Sequence, residues 1–177
     1  MAIHDTTATD LTLDRAELEQ LLAQAVRAFE GCAFDDADLA RLDLQGCTFE
    51  RCTFTGANLF ACKLARTTWR RCRAGGADFE SVDAVDASFE GCDLNNTKWR
   101  RAKLASVSWR GCKLTGASFE EVAHLGASFE DSLLIGADLR GADIDGFKLT
   151  EAALFKGAVI THAQAANFVR ELGISVI

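Results

Sequence analysis

From Phe29 onward a bulky apolar residue recurs at every fifth position, beginning Phe34, Leu39, Leu44, Phe49, Phe54, Leu59, Leu64 and Trp69, and the phase runs to Val159. Of these 27 centres, 24 are Leu, Phe, Trp, Ile or Val; the exceptions are Ala74, Ala84 and His124, so the slot selects for bulk. Two residues before the centre, from Cys32 to Gly157, 24 of 26 positions hold a small residue or valine, only Leu42 and Phe147 being bulky, and all seven cysteines occupy that slot. Two residues after it glycine recurs, as at Gly46, Gly56, Gly91 and Gly111, where a tight corner is expected. In an extended segment residues two apart point the same way, so centre and preceding small residue face inward and the centre's neighbours face outward. A helix would need spacings of three and four, and a period of five would smear these residues around it. Each unit is therefore a short strand and a corner, and the units stack into a β-solenoid.

The coil is legible too. Cys32, Cys52, Cys72, Cys92 and Cys112 recur every 20 residues, and Phe29, Phe49, Trp69, Phe89, Trp109 and Phe129 form a second column at the same interval. Twenty residues hold four units, which predicts a four-sided coil of about 27 pentapeptides and, at ~4.8 Å between neighbouring strands, a rod of roughly 32 Å.

An open solenoid exposes apolar core at each end, so the flanks are expected to cap it. Leu18, Leu21, Leu22, Ala25, Val26 and Phe29 follow helical spacing behind Asp14. Thr161 and Gln164 make a T-x-x-Q capping-box pattern ahead of Ala165, Phe168, Val169 and Leu172, and Gly173 stops that helix. The expected organisation is an N-terminal segment with a capping helix (1–28), a repeat β-helix (29–160), and a C-terminal helix and tail (161–177). Near the second end Leu133, Ile135, Phe155 and Ile160 flank centres instead of occupying them. With Phe168, Val169, Leu172 and Ile174 they predict an apolar homodimer interface. The alternative is that helix and tail fold back over them within one chain.

The composition, 49% hydrophobic and 25% charged over 177 residues, suits one compact domain. No apolar run approaches the ~20 residues of a membrane span, and the polar start lacks a secretory layout, so a cytoplasmic protein without membrane contact is expected. A net charge of −7 argues against direct nucleic-acid binding. There is no glycine-rich phosphate loop, zinc-type cysteine pairing or Ser/His/Asp set, so neither an enzyme nor a cofactor or metal site is expected. The thiols read as packing groups, His124 as a core residue, and Phe60 as an outward aromatic.

Charge is segregated: residues 1–45 carry −7, residues 46–116 carry +5 and residues 117–177 carry −5. In the middle, basic stretches (Lys63 to Arg73, Lys98 to Lys113) bracket an acidic one (Asp78 to Asp93), and adjacent rungs of that kind can pair. Glu120, Glu121, Glu130, Asp131, Asp138, Asp143 and Asp145 would form an acidic centre in a dimer joined through its C-termini, suited to a basic partner surface.

The units Ala37-Asp38-Leu39, Ala57-Asn58-Leu59, Ala77-Asp78-Phe79 and Ala137-Asp138-Leu139 resemble the A-D/N-L-x-x motif of the pentapeptide-repeat family, over residues 29 to 159. That resemblance implies a right-handed quadrilateral β-helix, an all-β solenoid. The stretch from Lys156-Gly157-Ala158-Val159 through Gln164, Phe168, Leu172-Gly173-Ile174 and Val176 is similar to the C-terminal helix and tail of the Qnr- and MfpA-type branch. It implies a non-enzymatic homodimer acting on DNA gyrase or topoisomerase IV, protecting them from quinolones or natural poisons by mimicking duplex DNA. The coils here carry no inserted loop, as in the loopless MfpA-like variety. Duplex DNA carries one charge per ~1.7 Å, far denser than this chain, so mimicry would be local to the acidic centre. The alternative is a scaffold for an unrelated regulatory protein.

Overall fold

A computed structural model describes residues 7–123, 128–143 and 152–171. Seven three-residue strands, β1 (Thr7–Thr9), β2 (Ala28–Glu30), β3 (Thr48–Glu50), β4 (Thr68–Arg70), β5 (Ser88–Glu90), β6 (Ser108–Arg110) and β7 (Ser128–Glu130), form one parallel sheet in chain order. From β2 to β7 each residue pairs with the one 20 positions on, Phe49 with Trp69 and Trp69 with Phe89. Three further bridge ladders share that interval, running through Ala33, Thr53 and Arg73, through Asp38, Asn58 and Asp78, and through Asp43, Lys63 and Asp83. The coil therefore has four sides, as the pattern of centres predicts.

Backbone bonds run along the rod. Phe54 N–H donates to Arg73 O at 2.7 Å, and Thr53 N–H donates to Cys32 O at 2.9 Å. Corners take left-handed backbone even without glycine, as at Arg51 (φ 53°) and Asn96 (φ 58°). The ladder bonds on both sides of each corner outweigh a strain of about 1 kcal/mol per residue. At Gly56 a Cβ would lie 2.4 Å from Asp36 Oδ1, so that carboxylate would have to swing aside for any other residue.

The interior is a set of stacked columns. Phe29, Phe49, Trp69, Phe89, Trp109 and Phe129 stack with ring centroids 4.4 to 5.9 Å apart, and Phe79 lies on Trp99 at 4.1 Å. Buried Trp69 and Trp99 donate Nε1–H to Thr67 and Thr97 at 3.0 and 2.8 Å. Trp109 has Val107 at the corresponding position, and its buried Nε1–H finds no acceptor among the described residues. The thiols fill the small inward slot: Cys52, Cys72, Cys92 and Cys112 lie 3.3 to 3.5 Å from carbonyls of the preceding coil, and Ser132 continues the column.

Both ends depart from the repeat. β1 pairs with β2 at an interval of 21, Thr7 with Ala28, so the ladder begins within the N-terminal segment, ahead of its helix. Helix α1 (Arg15–Ala23) replaces part of that first coil, opened by a capping box in which Asp14 accepts from Glu17 N–H. It buries Leu18 completely. At the other end Asp138 pairs with Val159, again 21 apart. The five-residue phase therefore does not hold to Val159. The one-residue slip falls between Asp143 and Lys156, and the described part of that stretch is a 3-10 turn at Ala152–Phe155. Val159 points out, 46% exposed, while Phe155 and Ile160, expected on outward positions, pack against the core. Helix α2 (His162–Glu171) starts with the expected capping box, Thr161 N–H donating to Gln164 Oε1 at 2.7 Å. Gln164 Nε2 then donates to Leu139 O (2.7 Å) and Ala142 O (2.9 Å), hooking the helix onto the last described coil.

Candidate interaction surface

With the interior filled, chemistry is confined to the outward columns. Residues 20 apart occupy the same column on adjacent coils, about 4.8 Å from one another, within reach of paired charged side chains. Glu130 receives Arg110 at 2.9 Å, Glu121 receives Arg101 at 2.7 Å and Arg100 at 3.1 Å, and Glu120 receives Arg140 at 2.7 Å. Arg140 also holds Asp138 at 2.6 Å. Further along, Lys63 holds Asp43 at 3.0 Å, Lys103 holds Asp83 at 3.7 Å and Arg70 holds Glu90 at 3.6 Å. Arg51 reaches both Glu30 and Glu50. Exposed, solvent-screened pairs of this kind add little stability, so their main effect is on surface potential.

The expected acidic centre is thus largely interleaved with arginines. Arg101, then Arg100, hydrogen-bonds Glu121 and holds its carboxyl below the usual range, and Arg140 does the same to Asp138. Asp131 is exposed and Asp143 half-buried. Arg100, Arg101, Arg110 and Arg140 were not among the candidate residues, although each stands 20 positions from its glutamate partner or, for Arg100, 21. Column membership was the signal that would have found them.

Of the expected apolar interface, Ile135 is 38% exposed, Leu133 and Val169 are half-buried, and Phe155 and Ile160 belong to their own chain's packing. The Phe168 side chain, Leu172, Ile174 and Asp145 lie outside the described residues, as does His124. Phe60 is half-buried on an outward column. Burial pushes the Cys47 and Cys62 thiols up to about 11. Hydrogen bonding within the thiol column, with Cys52 for Cys72 and with Cys92 for Cys112, raises both, and burial adds to it. Among the described residues no group of His, Cys, Asp or Glu is arranged to hold a metal, and no helix is long and apolar enough to cross a membrane.

Four bridge ladders, a 20-residue register and a filled small-residue slot define a parallel β-solenoid built of five-residue units. The family models agree: a pentapeptide repeat region matches residues 26–99, and pentapeptide repeats match 85–120 and 112–150. The chain belongs to the pentapeptide-repeat family. No curated protein matches the sequence closely enough to count as a relative. Similar solved structures include QnrB1, a plasmid-mediated fluoroquinolone resistance protein, at 20% identity and a TM-score of 0.44, covering 97% of each chain. Another is Rfr23 from the cyanobacterium Cyanothece 51142, at 18% identity and a TM-score of 0.38, covering 82% of this chain and 93% of that one. A third is HetL from Nostoc sp. strain PCC 7120, involved in heterocyst differentiation regulation, at 16% identity and a TM-score of 0.26, covering 88% and 83%.

Proposed function

We propose that this protein is a non-catalytic partner-binding rod that acts on DNA gyrase or topoisomerase IV, modulating the enzyme or shielding it from quinolones or natural poisons. The observation that carries the partner-binding part is the filled interior, since stacked aromatic, aliphatic and thiol columns leave only the outer ladders to meet another molecule. The choice of topoisomerase rests on the sequence of the C-terminal stretch from Lys156 through Val176. On this reading the rod is a homodimer joined near α2, with Leu133, Ile135 and Val169 on the shared face.

Local mimicry of duplex DNA has to contend with Arg100, Arg101, Arg110 and Arg140, which neutralise Glu120, Glu121, Glu130 and Asp138. The same pairing favours a second reading, a scaffold for an unrelated regulatory protein, because a ladder of alternating charge suits a partner with matching alternation. A supercoiling assay with purified gyrase, run with and without a quinolone, decides between them. Micromolar protein should alter supercoiling or poison-induced cleavage, and Arg140→Ala, by releasing two carboxylates, should strengthen the effect. An inert wild-type chain overturns the topoisomerase reading in favour of the scaffold.

A further inference from the structure

The sheet face carries a charge pattern with a symmetry of its own. Its outward column reads Glu50, Arg70, Glu90, Arg110, Glu130 on consecutive strands. Counted outward from the gap between β5 and β6, the first rungs are Glu90 and Arg110 and the second are Arg70 and Glu130. At the adjoining corner the first rungs are Gly91 and Gly111 and the second are Arg71 and Asp131. Over these first two rungs each charge on one side of the gap has its opposite at the same distance on the other. The four column residues are 53 to 62% exposed, and Arg71 is 75% exposed. A depression of about 220 Å³, lined by Arg70, Ser88, Phe89, Glu90, Ser108 and Arg110, lies across the same gap.

A two-fold axis in the plane of the face, parallel to the strands and midway between β5 and β6, turns a second rod antiparallel to the first. It keeps each residue in its column and exchanges the two sides of the gap. Glu90 then meets Arg110 of the other copy, Arg70 meets Glu130, and Arg71 meets Asp131, each twice. We propose that the sheet face is an isologous docking surface for a second copy of this chain, which packs side by side and antiparallel. A parallel arrangement would set like charges against each other. The within-chain pairs Arg70–Glu90 and Arg110–Glu130 persist, so every charge gains a second opposite neighbour.

The patch spans four strands, ~19 Å by ~16 Å, or roughly 600 Å² for both partners together, well below the usual ~1,600 Å² of a stable complex. The association is therefore weak and ionic, which separates it from an apolar contact near α2: salt dissolves the first and leaves the second.

The test is sedimentation velocity of the full chain at high micromolar concentration, in about 10 mM and about 0.5 M salt. The wild type should associate at low salt and lose at least fivefold in association constant at high salt. Glu90→Arg alone and Arg110→Glu alone each create two like-charge meetings and should lose the salt-sensitive association. Their equimolar mixture restores opposite charges at both positions, so it should associate more than either variant alone. The corner pair, Arg71→Asp mixed with Asp131→Arg, applies the same logic should a strand variant fail to keep its β-sheet circular dichroism. A mixture no heavier than the average of its components, or a wild type whose mass ignores salt, overturns the proposal.

Discussion

The middle coils and the two ends follow different rules. Between β2 and β7 the register is held at 20 residues, so inward aromatic rings stack on one another and outward acids and bases alternate along the same ladder. At both ends the interval becomes 21 and a helix takes over. The N-terminal helix is built into the first coil and delivers a fully buried Leu18 to the core. The C-terminal helix is fastened from outside, by one glutamine side chain on two carbonyls. Stacking alone cannot end a solenoid, because the last coil offers its carbonyls and apolar columns to nothing. An extra residue frees the chain from the register long enough to cover them.

The largest effect should come from the slip itself. Ile160→Asp places a charge against the core and is expected to cost about 3 kcal/mol, whereas Val159→Asp should stay within about 0.5 kcal/mol. An uninterrupted five-residue phase demands the reverse order, so urea unfolding of the two variants decides which register holds at this end.

Next comes the hook. Gln164→Ala strips donors from two carbonyls and the acceptor from Thr161, for an expected loss of about 2 kcal/mol. Gln164→Glu keeps that acceptor but cannot donate, and should recover little of the loss. Thermal melts in which the glutamate variant matches the wild type would show that the capping box, not the carbonyl hook, holds α2.

The smallest effect concerns the middle, and its sign is favourable. Val107→Thr gives Trp109 the acceptor that Thr67 and Thr97 give Trp69 and Trp99, at nearly constant volume. Thr67 Oγ1–H also donates to Leu64 O at 2.6 Å, and Leu104 stands ready for the same bond. Stability should rise by about 1 kcal/mol. A drop in the unfolding midpoint would mean that the hydroxyl cannot adopt that geometry.

The solenoid was legible because its period repeats often enough to exclude every other spacing. Its last turn was not, for a local reason: Leu154-Phe155 and Val159-Ile160 are apolar doublets, so either member can be read as the inward residue and composition does not choose. The entry into the first coil was hidden similarly, since Ala8 and Leu13 are separated from the first clear centre by a helix. At the surface, outward orientation of the acidic residues followed directly from the two-residue alternation. Their neutralisation did not, because it depends on reading Glu120 with Arg140 and Glu130 with Arg110 across a whole coil. Long-range partners become visible in a repeat only when the sequence is written one coil per line.

The stacked aromatic column also determines what light can report about this molecule. Trp69, Trp99 and Trp109 are fully buried in the middle coils, and the chain has no tyrosine. Trp99 and Trp109 meet edge to face at 4.9 Å, close enough for their excited states to share energy. Intrinsic emission is therefore a gauge of the central coils alone and is blind to either terminus. If the rod melts inward from its caps, the helical signal at 222 nm will fade while the tryptophan spectrum stays that of the folded protein.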